Sequence, residues 1–142
     1  DTSMEIATMD SFINCNGRDY DDIMTNFYDW LNNAKYTARG NTFDVGRTCL
    51  RAIKSFYDGN TTALESGLSD INSNGNGSLM RIIPAAFFGY FKITYEPAFE
   101  DFIFNVSSLI FGTLEAFPSK DTPSTFVIYF LKLRILSPPF KN

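Results

Sequence analysis

Histidine is absent from all 142 residues. Its absence excludes histidine metal sites, Ser-His-Asp triads and imidazole acid–base chemistry, so any proton transfer falls to carboxylates. Cysteine is scarce. Cys15 and Cys49 have neither metal-type nor redox-type spacing, and both are expected to be buried thiols acting as small apolar groups. No basic run occurs and the net charge is −4, so a nucleic-acid partner is not expected. No apolar run approaches the ~20 residues of a membrane span, and no signal peptide is visible. No membrane partner is expected, and the expected location is cytoplasmic.

What is present is a globular composition. Apolar residues make up 44% of the chain, and 142 residues suffice for one domain with a real core. Phenylalanine is abundant, with 15 residues, most of which are expected inside.

Hydrophobic periodicity predicts an all-α chain. Residues 2–15 carry apolar positions at Met4, Ile6, Ala7, Met9, Phe12 and Ile13, fitting a helix with one buried face. Residues 19–32 place Tyr20, Ile23, Met24, Phe27, Trp30 and Leu31 on one stripe. Asp19, Asp21 and Asp22 fall in its first turn. Capping and dipole compensation explain that cluster better than a metal does. Residues 33–42 read as a loop. Residues 44–57 read as a helix with Val45, Cys49, Leu50, Ile53, Phe56 and Tyr57 facing inward, ended by Asp58-Gly59-Asn60. Residues 61–71 are a weaker helical piece or loop.

Residues 79–91 form a strongly apolar helix in which Pro84 is a puzzle. Proline fits only the first turn, so this helix either starts later than a Ser78 cap implies or kinks. Pro97 opens a further helix with Phe99, Phe102, Ile103, Val106, Leu109 and Ile110 on its inner face. After a break at Pro118 to Ser124, residues 125–136 are apolar and β-branched; helix is favoured over strand because the rest of the chain is helical. No internal repeat or dividing linker is visible. The expected architecture is a single compact bundle of crossing helices over residues 1–142.

The stretch the chain is organised around is Asn72-Ser73-Asn74-Gly75-Asn76-Gly77-Ser78-Leu79-Met80-Arg81. Asn and Gly tolerate positive φ, so two successive Asn-Gly pairs predict a tight, specially shaped loop. A glycine-rich loop leading into a helix, with Ser78 as its cap, presents unpaired N–H groups and a positive dipole end suited to phosphate.

This wording, Asn-Gly-Asn-Gly-Ser-Leu-Met-Arg followed by Ile and Pro, resembles the corresponding loop of the ADP-ribosylglycohydrolase family. That family includes the dinitrogenase reductase-activating glycohydrolase and the ADP-ribosyl-acceptor hydrolases. Asp1-Thr2-Ser3-Met4 and Phe43-Asp44-Val45-Gly46-Arg47-Thr48 fit the family in the same order. The resemblance covers residues 1–92, while 93–142 are divergent. It implies an all-helical fold and hydrolysis of a glycosidic bond between ADP-ribose and a protein side chain. It also implies a binuclear Mg²⁺ or Mn²⁺ centre.

Residue by residue, Asp1 matches the second aspartate of the family's Thr-Asp-Asp-Thr and is the implied metal ligand and catalytic carboxylate. Carboxylate oxygen suits a hard cation. One carboxylate cannot hold two metals, so the competing expectation is that Asp1 binds nothing. Asp44 is implied to be the acidic residue facing the substrate ribose; read without the resemblance, it is a helix cap. Gly46 points to close approach of a backbone or ligand. Asn74, Gly75, Asn76, Gly77 and Ser78 are implied to cradle the diphosphate, with Met80 and Arg81 supporting the loop. The family's second metal motif, Asp-x-Asp-Thr, has no counterpart in residues 93–142, where Asp121-Thr122 stands alone. The start at Asp1, in mid-motif, is what a fragment or truncated member would show. The alternative expectation is a non-catalytic ADP-ribose-binding or relic module.

Overall fold

The computed structural model describes residues 2–68, 81–93 and 96–110, with the backbone alone at residues 96, 97 and 100. Five helices follow in order: α1 (Thr2–Asn14), α2 (Tyr20–Asn33), α3 (Arg47–Tyr57), α4 (Ile83–Lys92) and α5 (Glu96–Ser108). A short 3-10 turn, Ala63–Glu65, lies between α3 and α4. No β-strand occurs among the described residues, so the all-α expectation holds. The Asn/Gly loop and the segment 125–136 lie outside the described residues.

Helix α1 packs on α2 and on α4, α2 on α3, and α4 on α5. The stripe predicted for α2 is seated as expected, with Ile23, Met24, Phe27 and Trp30 all buried. Asp19 caps this helix, its carboxylate accepting from the Asp22 N–H at 3.0 Å. That bond satisfies one of the first-turn donors left without an intrahelical partner. The six apolar residues assigned to the inner face of α5 and its exit, from Phe99 to Ile110, are all buried.

Phe12 of α1 stacks on Phe88 of α4 with ring centroids 4.5 Å apart, and both rings meet Phe102 of α5. Three helices therefore share one aromatic contact, which accounts for part of the phenylalanine surplus. Asn26, buried in α2, donates to the Ala7 carbonyl of α1 at 3.2 Å, so this polar side chain keeps a partner inside. Ser66 donates to the Leu109 carbonyl at 2.9 Å and ties the 3-10 turn to the end of α5.

Several expectations are corrected. The buried face of α1 is Met4, Ala7, Thr8, Ser11 and Phe12, while Ile6, Met9 and Ile13 are exposed. Six apolar positions in that spacing exceed the width of one helical face, and α2 covers only part of it. Cys15 is exposed, just past the end of α1; Cys49 alone is buried. Helix α3 starts at Arg47 with Gly46 as its N-cap, so Asp44 caps nothing. Tyr57 points outward and stacks flat on Tyr28, rings 6° from parallel. Helix α4 begins at Ile83 with Ile82 as N-cap, which puts Pro84 in the first turn and removes the puzzle. Ser78 is not the cap of that helix.

Candidate functional site

The loop between α2 and α3 builds one wall of a cleft. Ala34 ends α2 in the left-handed conformation at φ 55°, and its N–H bonds the Asp29 carbonyl. Tyr36 and Asp44 also have positive φ, 65° and 53°. An aspartate tolerates this region, whereas a tyrosine there is held by its surroundings. The holding contacts are visible. The Tyr36 hydroxyl donates to the Asp10 carboxylate at 2.5 Å. Thr37 bonds the Ala34 carbonyl, and Thr42 donates to the Trp30 carbonyl at 2.6 Å.

Lys35 completes this anchor. Its ammonium lies 3.8 Å from both the Asp10 and Asp29 carboxylates and donates to the side-chain Oδ1 of Asn26 at 3.2 Å. The Tyr36 hydroxyl, aided by Asn14 and Lys35, holds the Asp10 carboxyl below its ordinary range. Hydrogen bonding with Tyr36, and the nearby acids, raise Lys35. Burial is the main cause that raises Tyr36 itself. The loop is thus pinned to α1 and α2 at its start and to α2 near its end.

The cleft enclosed this way has a volume of about 750 Å³. Its lining includes Ile6 and Trp30, Arg39, Phe43 and Asp44 of the loop, and the first residues of α1, Thr2 and Ser3. Two of the three motif stretches singled out in the sequence therefore meet at one concavity. Asp44 is exposed, and its carboxylate makes no ion pair among the described residues. Asp1 and residues 74–78 lie outside the described residues.

Gly46, expected to mark a close approach, stands beside open space. A Cβ placed there would have no atom within 4 Å. Close backbone approach is therefore not its reason.

A second polar feature lies in the core. The Arg81 side chain is fully buried. Its guanidinium sits 5.1 Å from the Phe27 ring centroid, and Nη2 donates a long 3.4 Å hydrogen bond to the Ser107 carbonyl. Nε and Nη1 have no hydrogen-bond partner among the described residues. Burial pushes the Arg81 pKa down to about 10, partly opposed by Cys49. Arg81 is thus inside the bundle, where α2, α3 and α5 meet.

Sequence reasoning found Asp44 but missed Trp30, Tyr36, Arg39 and Phe43 as cleft residues. Nothing in their spacing marks them, since the loop that gathers them is shaped by tertiary hydrogen bonds. Among the described residues, no group of three or more His, Cys, Asp or Glu side chains converges as a metal site would require. None of the described helices is long and apolar enough to cross a membrane.

Among curated proteins and among solved structures, no match was found. The sequence model of the family described as ADP-ribosylglycohydrolase matches residues 1–105, running past residue 92 through most of α5. With that match spanning most of its length, the chain belongs to the ADP-ribosylglycohydrolase family.

Proposed function

We propose that this chain binds ADP-ribose, free or attached to a protein, and that its cleft is shaped for hydrolysis of the bond joining ADP-ribose to a side chain. The observation that carries the reading is the meeting of Asp44 with the N-terminal end of α1 at one cleft. In this reading the Asp44 carboxylate accepts hydrogen bonds from ribose hydroxyls. Main-chain amides of Asn74, Gly75, Asn76, Gly77 and Ser78 receive the diphosphate. Asp1, beside Thr2, is the second catalytic carboxylate and the family-implied metal ligand.

Turnover would add water across the glycosidic C–N or C–O bond, releasing ADP-ribose and the unmodified side chain. Its transition state carries positive charge on the ribose, which a nearby carboxylate stabilises. The Mg²⁺ or Mn²⁺ pair implied by the family does not fit the described residues, which bring no three ligands together. No step is therefore routed through a metal here.

The second reading is binding without turnover. It is favoured by the observation that Asp44 is the one carboxylate among the described cleft residues. Acid–base chemistry on a glycosidic bond ordinarily uses two. Titration of ADP-ribose with and without Mg²⁺, beside an assay for ADP-ribose released from a modified protein, separates the readings. Release supports hydrolysis; binding without release supports the second. No binding overturns both.

A further inference from the structure

The chain is acidic, yet its cations are unevenly spread. Residues 35–54 hold five of the twelve basic side chains, Lys35, Arg39, Arg47, Arg51 and Lys54, and one of the sixteen acids, Asp44. That segment carries +4 within a chain of −4. All five cations are exposed. Lys35 is engaged by Asp10 and Asp29; the other four make no ion pair among the described residues. Arg39 lines the cleft. Arg47, Arg51 and Lys54 follow at i, i+4 and i+7 of α3, which puts them on one face, opposite the buried Cys49, Ala52 and Ile53. Successive cations of this stripe are about 5 Å apart along the axis, inside a Debye length of roughly 8 Å, so their fields add. Local helix energetics does not account for them. The dipole favours Lys54 in the last turn but opposes Arg47 at the first position of a helix with no acid in its first turn. Arg47 and Arg51, four residues apart, repel each other. The stripe also starts at the cleft: Phe43 and Asp44 line the cleft, and Gly46, the N-cap of α3, comes two residues later.

We infer that the outer face of α3 docks an acidic polypeptide segment, and that in the substrate this segment flanks the side chain carrying ADP-ribose. The identity of the segment rests on the ADP-ribose reading of the cleft; the acidic docking does not. From Arg47 to Lys54 the helix rises about 10 Å, a length covered by about three residues of extended chain. Asp58, at the C-cap of α3, bounds the stripe at its far end. Guanidinium groups bind carboxylates through two parallel hydrogen bonds, which suits Arg47 and Arg51 to glutamate or aspartate. A polypeptide is favoured over a nucleic acid by the charge outside residues 35–54, which is −8 and repels a long polyanion. A short acidic segment feels chiefly the local face, because more distant charges are screened.

The test uses the full chain and a fluorescein-labelled peptide with consecutive glutamates, read by anisotropy, with lysine and serine versions as references. The glutamate peptide is expected to bind and to weaken as salt rises, and the references not to bind. In the combined variant Arg47→Gln, Arg51→Gln, Lys54→Gln its affinity falls about tenfold, since three exposed charge pairs are lost together. ADP-ribose affinity is expected to match the parent's, because none of the three lines the cleft. A peptide ADP-ribosylated on serine beside the glutamates is expected to bind more tightly than free ADP-ribose, and the combined variant to lose that gain. Wild type that binds ADP-ribose but not the glutamate peptide overturns the docking face and leaves the cleft reading intact. Wild type that binds the peptide but not ADP-ribose keeps the docking face and removes the cleft reading, with the flanking placement. Undiminished peptide binding in the combined variant overturns the inference by moving the site off α3. An oligothymidylate of equal charge that binds more tightly than the peptide overturns the choice of a polypeptide.

Discussion

Gly89 of α4 lies against Phe99 of α5 so closely that a Cβ on residue 89 would fall 2.6 Å from two atoms of the ring. A third atom, on Phe102, would be 3.2 Å away. Both rings are buried, so neither swings aside freely. Alanine is the better helix former by about 1 kcal/mol, but overpacking a core costs about 1–3 kcal/mol. Gly89→Ala is therefore expected to lower stability by about 1–2 kcal/mol despite its higher helix propensity. Urea denaturation followed by far-UV circular dichroism measures this directly. A variant as stable as the parent would show that α4 and α5 do not approach as described.

The two cysteines differ in exposure, and their chemistry should follow. Cys15 is exposed and Cys49 is buried. A thiol reagent added to the native protein is expected to label Cys15 first and Cys49 only on unfolding. Cys15 is also raised above the ordinary thiol range, by desolvation and then by Asp22. Its labelling at neutral pH should accordingly be slower than that of a free cysteine, and should quicken as pH rises. Mass spectrometry of peptides after timed labelling checks both statements. Equal labelling of the two thiols in the native protein would contradict the burial of Cys49.

Tyr36 and Asp10 govern how the cleft wall responds to acid. The Asp10 carboxyl is depressed chiefly by the Tyr36 hydroxyl. A depressed carboxyl contributes stability that is present above the ordinary aspartate range. That contribution is lost as pH falls through the folded-state value. Tyr36→Phe removes the main cause, and with it a hydrogen bond to a charged group worth about 1 kcal/mol at this half-exposed position. Its stability is expected to be lower than the parent's near neutrality and to converge on it in acid. Thermal unfolding from pH 7 down to pH 3 reads the difference. A gap that stays constant across that range would mean the hydroxyl does not set the Asp10 titration.

Legibility of the fold from sequence tracks how local its causes are. Phe99, Phe102, Ile103 and Val106 recur at three- and four-residue spacing, so the inner face of α5 is written in the chain. Asp19 sits where a cap belongs and forms one. On α1 the apolar positions outnumber what a face holds, so only packing on α2 and α4 decides that Ile6, Met9 and Ile13 stay outside. The α2–α3 loop is hidden for a similar reason. Ala34 and Tyr36 take left-handed conformations that no local preference favours, and distant partners such as Asp10 hold them there. Asp44 was marked by its motif; Trp30 and Arg39 became cleft residues only once that loop was folded.

Asp44 allows the cleft to be tested without disturbing the fold. It is exposed, caps no helix, and occupies the left-handed region at φ 53°. Asparagine accepts that conformation as readily as aspartate, so Asp44→Asn removes the charge and leaves the backbone unstrained. Its stability is expected to stay within about 0.5 kcal/mol of the parent. If the carboxylate faces the ribose, ADP-ribose affinity should fall about tenfold, and any hydrolysis should fall by about a hundredfold or more. Asp44→Ala is a weaker probe, because alanine at positive φ adds roughly 1 kcal/mol of strain that would blur the two effects. Calorimetric titration of ADP-ribose into the asparagine variant, beside its unfolding curve, keeps them apart. Unchanged affinity with an intact fold would remove Asp44 from the ligand's reach and leave the cleft without its acidic contact.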